Sequence, residues 1–96
     1  MKESAKALAL NAKDNVATAL AALGAGATVT VEIKGHTEKV RLLSPIPMGH
    51  KFALMDIEAG QPVIKYGEAI GRTTSKIPKG AHVHVHNVSG GKGRAE

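Results

Sequence analysis

The sequence predicts a single, mostly β domain with one short helix. Three observations carry that expectation. Residues 27–33 alternate between apolar and polar side chains, proline and glycine recur at close intervals, and the run Ala81-His82-Val83-His84-Val85-His86-Asn87 alternates histidine with valine. Successive side chains of a strand point to opposite faces, so strict alternation marks a strand with one face in a core. Glycine and proline mark the corners between such strands. With 96 residues the chain has room for one core. One Phe, one Tyr and no Trp leave Val, Ile, Leu, Ala and Met to fill it.

In chain order, residues 4–12 are ambiguous. Alanine and leucine favour helix, while Leu8 and Leu10 against Ala7 and Ala9 also fit a strand. Asp14 then reads as an N-cap, with Val16, Leu20 and Leu23 forming one apolar stripe of a short helix that Gly24 and Gly26 end. Val29, Val31 and Ile33 share one strand face, Lys34-Gly35 makes a turn, and residues 36–43 return with Val40 and Leu42 to complete a hairpin. The segment Ser44-Pro45-Ile46-Pro47-Met48-Gly49 is a rigid loop through which no regular strand can run. It delivers His50 and Lys51 to the apolar segment Phe52-Ala53-Leu54. Val63-Ile64-Lys65-Tyr66 reads as a short strand ended by Gly67, and Pro78-Lys79-Gly80 as the turn before the histidine run. No internal repeat is evident. The domain is expected to span residues 1–88, and residues 89–96, which are glycine-rich and without large apolar side chains, to form a flexible tail.

Composition narrows the function. The formal net charge is +5, from thirteen basic and eight acidic residues. The positive charges are scattered and the aromatic platforms that single-strand binders use are nearly absent, which argues against nucleic acid. An anionic small molecule or an acidic partner protein fits better. No apolar run reaches the ~20 residues of a membrane span, and the amino terminus lacks a signal-peptide core, so no membrane association and a cytoplasmic location are expected. With no cysteine there is no disulfide framework, thiolate nucleophile or cysteine-based zinc site.

In a strand over 81–87, His82, His84 and His86 line one face while Val83 and Val85 enter the core. The row is either a polar, solvent-facing strand or a ligand- and proton-handling surface, since imidazole binds metals and titrates near neutral pH. The pairs His82/His84 and His84/His86 are each spaced to share one metal ion, an incomplete set with no Asp or Glu adjacent. Gly49-His50-Lys51 reads either as an ordinary turn or as a place where backbone, imidazole and ammonium meet a ligand. Lys65 could hold a carboxylate, beside a Tyr66 whose ring is core and whose hydroxyl is at the surface. Asp14-Asn15 caps the helix, and could also form a polar wall at its N-terminus.

Taken together, Asp14-Asn15-Val16-Ala17, Ile46-Pro47-Met48-Gly49-His50-Lys51, Val63-Ile64-Lys65-Tyr66-Gly67, Ile70-Gly71 and His82-Val83-His84-Val85-His86-Asn87 resemble one pattern. It is that of the small subunit, or amino-terminal SAF domain, of the altronate dehydratase family, and is similar also to the small subunit of sulfolactate sulfo-lyase. Five motifs in family order cover residues 5 to 88. The resemblance implies a small antiparallel SAF or β-clip domain of a lyase that removes water, or sulfite, from a hydroxylated acid. It implies a divalent metal, usually iron, and a larger catalytic subunit as partner, without which this chain is expected to fold but not to catalyse. The residues it brings over are His50, Lys51, Lys65 and His86 for catalysis, Asp14, Asn15, Tyr66 and Asn87 for substrate binding, and His84 and His86 for metal. The expected activity is dehydration of a sugar acid such as altronate. The alternatives are a sulfolactate sulfo-lyase subunit and a non-catalytic sugar-acid or anion-binding module.

Overall fold

A computed structural model describes residues 5–90. Nine strands form two sheets, and the described residues contain no helix. The strands are β1 (Ala7–Ala9), β2 (Val16–Ala19), β3 (Thr28–Ile33), β4 (His36–Arg41), β5 (Lys51–Ala53), β6 (Pro62–Lys65), β7 (Glu68–Thr73), β8 (His82–Val83) and β9 (Val88–Ser89). The larger sheet runs β4-β3-β1-β2-β5-β8 and the smaller β6-β7-β9. All pairings are antiparallel except β1 with β3. One core gathers Val29, Val31, Ile33, Val40, Leu42, Ile46 and Phe52 around the alanines of β1 and β2. A second holds Val16, Ala53, Ile57, Val63, Ile77 and Val83.

The expected hairpin of β3 and β4 forms, in a register that sets Val29 opposite Val40. The expected helix over residues 14–23 does not form. Val16–Ala19 is instead an inner strand, hydrogen-bonded to β1 on one side and β5 on the other. The spacing of Val16, Leu20 and Leu23 is helical only by coincidence: Val16 is buried in the second core, whereas Leu20 is exposed beyond the strand end. β1 resolves the ambiguity of residues 4–12 in favour of a strand, with the small Ala7 and Ala9 buried and Leu10 exposed.

The fold contains an internal repeat that the sequence conceals. β2, a corner, the β3–β4 hairpin, a second corner and β5 make one half. The shared β5, a third corner, the β6–β7 hairpin, a fourth corner and β8 make the other. Each corner carries an apolar residue followed three positions later by a glycine of positive φ: Leu23 and Gly26, Ile46 and Gly49, Ile57 and Gly60, Ile77 and Gly80. Within each half the two apolar residues exchange a pair of backbone hydrogen bonds, Leu23 with Ile46 at 2.9 Å and Ile57 with Ile77 at 2.8 Å. The glycine amides match as well. Gly26 donates to Leu42 and Gly49 to Ala19, as Gly60 donates to Thr73 and Gly80 to Ala53. β1 and β9 are additions, one to each half.

The histidine run is the second correction. Only His82 and Val83 are strand; the chain then turns through residues 84–87. Val83 is fully buried as expected, but Val85 sits in the turn and is 81% exposed. β9 carries the sheet through Ser89, and residues 91–96 of the expected tail lie outside the described residues.

Candidate functional site

The site forms where the two halves meet along β5 and β8. Lys51 pairs with Val83 and Phe52 with His82, so continuing the register one step sets His50 against His84. Directly opposed residues of antiparallel strands project to the same face. The imidazoles of His50, His82 and His84 therefore converge, although the second strand is only two residues long. His50 and His84 stack with ring centroids 4.1 Å apart, and His82 lies 5.1 Å from His50 and 5.5 Å from His84. His50 Nδ1 and His82 Nε2 are 2.9 Å apart and share a hydrogen bond.

Each ring is held by its own local structure. The Ile46–Gly49 corner presents His50, whose amide donates to the Pro47 carbonyl at 3.0 Å and whose carbonyl accepts from Ala19 at 2.8 Å. Gly49 has φ 84°, the conformation glycine adopts without strain. The His82 amide donates to Ser44 Oγ of the proline loop at 3.2 Å. Asn87 fastens the turn after β8. Its Oδ1 accepts from the His84 amide at 2.9 Å and its Nδ2 donates to the His82 carbonyl at 2.8 Å. The turn folds the chain back, so that the His86 ring lies 5.2 Å from His82, tilted by 34°.

The electrostatics favour the neutral forms of His82 and His84. Burial, then the neighbouring His50, His86 and His84, then Lys51 push the His82 pKa below its ordinary value. Burial, His50, Lys51 and His86 do the same to His84. Lys51 is itself lowered, by burial first and by the charge of Lys65 second. Lys51 and His84 line one open depression of about 220 Å³, with Ile70, Val85, Val88 and Gly90. A pocket with an ammonium group and an imidazole on an apolar wall can hold a carboxylate and move a proton beside it.

Of the residues singled out from the sequence, His50, Lys51, His84, His86 and Asn87 come together here, with Lys65 at the edge beside Lys51. Asn87 meets the cluster through the backbone of His82 and His84. Asp14, Asn15 and Tyr66 gather at the β6–β7 hairpin. Asn15 uses both ends of its amide on β6, accepting from Ile64 N at 2.7 Å and donating to the Pro62 carbonyl at 3.0 Å. Asp14 is 3% exposed and its Oδ1 accepts from the Gly67 amide at 2.8 Å, so it ties down a turn and caps no helix. Tyr66 has φ 57° and an exposed ring, with Lys65 Nζ 4.7 Å from its centroid. The expectation of a core ring at Tyr66 is thus not met. His82, to which the resemblance assigns no role, stands at the centre of the cluster; its spacing sets it on the face of His84, and the register with β5 brings it to His50.

The comparisons bear on this geometry. Residues 5–91 match the family model described as the altronate/galactarate dehydratase SAF domain. The chain belongs to that family. It is 47% identical over 78 residues to altronate dehydratase of Escherichia coli K12, an alignment that covers 81% of this chain and 15% of the relative. It is 54% identical over 43 residues to (2R)-sulfolactate sulfo-lyase subunit alpha of Chromohalobacter salexigens, which covers 45% of this chain and 46% of that subunit. Galactarate dehydratase (L-threo-forming) of Escherichia coli K12 is 46% identical over 44 residues, 8% of its length. Each of these alignments thus spans less than half of the relative's own length. Among the described residues no helix is long and apolar enough to cross a membrane.

Proposed function

We propose that the chain is the SAF domain of a sugar-acid hydro-lyase, working with a larger catalytic portion on an altronate-like substrate. The observation that carries this reading is the relation to altronate dehydratase over 81% of the chain. The 54% identity to a sulfo-lyase subunit supports a second reading in which sulfite is the leaving group. The reading places the assembled enzyme in the cytoplasm, with iron as its metal.

The chemistry is a β-elimination. A base takes the proton from the carbon next to the carboxylate, the bond from the following carbon to its hydroxyl oxygen breaks, and an acid delivers a proton so that water leaves. The resulting enol tautomerises to a 2-oxo-3-deoxy acid. The substrate carboxylate carries growing negative charge during proton removal, and fixed positive groups stabilise it. Lys51 is suited to that carboxylate, with Lys65 as a second positive charge nearby. The His50–His82 pair shares one hydrogen-bonding proton, so one nitrogen holds a lone pair and the other a proton. Such a pair can accept a proton at one end and release one at the other. A divalent ion, when bound, adds positive charge at the carboxylate. The imidazole-rich donor set is compatible with one.

The test is turnover by the chain assembled with a larger catalytic portion of the family. Altronate should yield a 2-oxo-3-deoxy acid. Release of sulfite from sulfolactate with no altronate turnover would select the second reading, and neither activity would remove both.

A further inference from the structure

We infer that Asp14 and Asn15 are positioning residues, which lock the turn at Lys65, Tyr66 and Gly67 so that the Lys65 ammonium stands beside Lys51, and that neither touches the substrate. β6 is an edge strand of the smaller sheet, and Asn15 runs along it. The Asn15 side chain bonds to Pro62 and Ile64, and its backbone amide donates to the Ile64 carbonyl at 3.2 Å. At the same place the β6–β7 register slips between Val63 and Ile64. A bulge of this kind re-aims the side chains beside it, and Lys65 is the next residue. Asp14 then holds the turn itself through the Gly67 amide. Asn11 closes the turn from the same side: a Cβ added at Gly67 would stand 2.6 Å from its Nδ2.

The arrangement costs stability, which argues for a role beyond closing a hairpin. Tyr66 and Gly67 have φ 57° and 77°, the type I′ geometry that favours Asn or Gly where Tyr66 stands. Among the described residues Tyr66 is the one non-glycine with positive φ. The fold does not demand it. The β3–β4 hairpin makes the same two-residue connection with Gly35 alone in that region, at 92°. Asp14 adds a second cost. It is buried, and its Oδ2 finds no hydrogen-bond partner among the described residues. Backbone strain and a buried acceptor without a donor are both unfavourable. Together they deliver one result. The Tyr66 ring supports Lys65 Nζ, 4.7 Å from its centroid, and the Lys65 charge reaches Lys51, whose pKa it helps to lower. Two ammonium groups held near each other repel, and a carboxylate bound between them turns that repulsion into attraction. Buried Asp14 and the edge-bound Asn15 act through Lys65 and Tyr66, which is a different part from the substrate contact that the resemblance implies for them.

The inference rests on the proposed function for its catalytic consequence, while the clamp itself is tested without turnover. In the chain alone, the Tyr66 ring should shift the Lys65 ε-methylene protons upfield in NMR spectra. Asp14→Ala and Asn15→Ala should each abolish that shift. Asp14→Asn should keep it, because its amide oxygen still accepts from Gly67. In the chain assembled with a larger catalytic portion and supplied with altronate, Lys65→Met should lower kcat/KM about tenfold or more, the loss of one charge-assisted hydrogen bond. Asp14→Ala should lower it about fivefold, the size of an ordinary coupling between neighbours, and Asp14→Asn should restore it. In the Lys65→Met background Asp14→Ala should cost nothing further. Losses that add would mean that Asp14 meets the substrate itself and would overturn the inference, as would an Asp14→Ala chain with the Lys65 shift intact. Where Asp14→Ala fails to fold, Tyr66→Asn decides. Asn adopts this φ readily, so the urea midpoint should rise while kcat/KM falls; a lower midpoint, or full activity, overturns the inference. Absence of turnover by the parent assembly with altronate and with sulfolactate removes the lyase reading and leaves the clamp to the shift in the free chain; turnover without that shift does the reverse.

Discussion

Asn87 shows how much of the site rests on one side chain. Its amide bridges the backbone of His82 and His84 with bonds of 2.8 and 2.9 Å, and its own carbonyl accepts from Thr74 at 3.0 Å. Asn87→Ala removes both side-chain bonds and leaves partly buried backbone groups without them. It should cost about 1–3 kcal/mol, read as a lower urea midpoint, and should perturb the His82, His84 and His86 ring resonances together. The histidines also set a pH dependence. The pKa values of His82 and His84 lie below the ordinary imidazole value in the folded chain, through burial first and neighbouring positive charge second. On acidification the unfolded chain takes up protons that the folded cluster resists. Stability is therefore fully present above the unfolded value and falls as the pH drops through it toward the depressed folded values. The metal-free chain should show a lower urea midpoint at about pH 5 than at about pH 7.5, and His82→Asn should shrink that difference. An unchanged midpoint would mean that the rings do not meet in solution.

At the scale of elements, the four corners are equivalent in hydrogen bonding but not in surroundings. A Cβ added at Gly49 meets nothing within 4 Å, whereas one added at Gly80 runs into the carbonyl oxygen of Arg41. Both glycines have positive φ, 84° and 88°. Gly49→Ala should cost only the backbone strain, about 1–2 kcal/mol. Gly80→Ala adds a collision with main chain and should cost about 4 kcal/mol or more. Thermal denaturation of the two variants checks the contrast, and equal losses would refute it. These corners also explain what could be read beforehand. The β3–β4 hairpin was legible because Val29, Val31 and Ile33 alternate around an unambiguous Lys34-Gly35 turn. The repeat was not, since its corners share little beyond one apolar residue and one glycine, and much of their role lies in backbone bonds that any side chain permits. β2 was misread because Asp14 offers a cap and alanine favours helix, while pairing with β1 and β5 outweighs both. The delivery of His50 and Lys51 by the Pro-Gly loop to the start of β5 was legible. The central role of His82 was not, because it depends on the cross-strand register with β5, a long-range fact that local spacing does not contain.

At the scale of the whole molecule, the domain offers a shallow site. The depression beside Lys51 and His84 is open, and the imidazole cluster lies at the junction of two halves with no further layer over it among the described residues. An elimination needs its carbanion-like intermediate shielded from bulk water, so a second surface has to close the site. The altronate dehydratase relative is several times longer than this domain, and the related sulfo-lyase protein is named as subunit alpha. Purification from the native source should return the domain joined to, or in stoichiometric complex with, a larger catalytic portion; recovery of free domain alone would count against it. The most direct test of the account is altronate turnover by that assembly with His84→Ala. Folding should be retained, because His84 adds no side chain to either apolar core, and kcat should fall by about a hundredfold or more, because the ring that stacks on His50 is lost and the proton-transferring His50–His82 pair loses its positioning. His36→Ala, on the exposed β4 strand, should leave kcat unchanged. Turnover of the His84 variant equal to that of the parent assembly would contradict the claim that the histidine face meets the substrate.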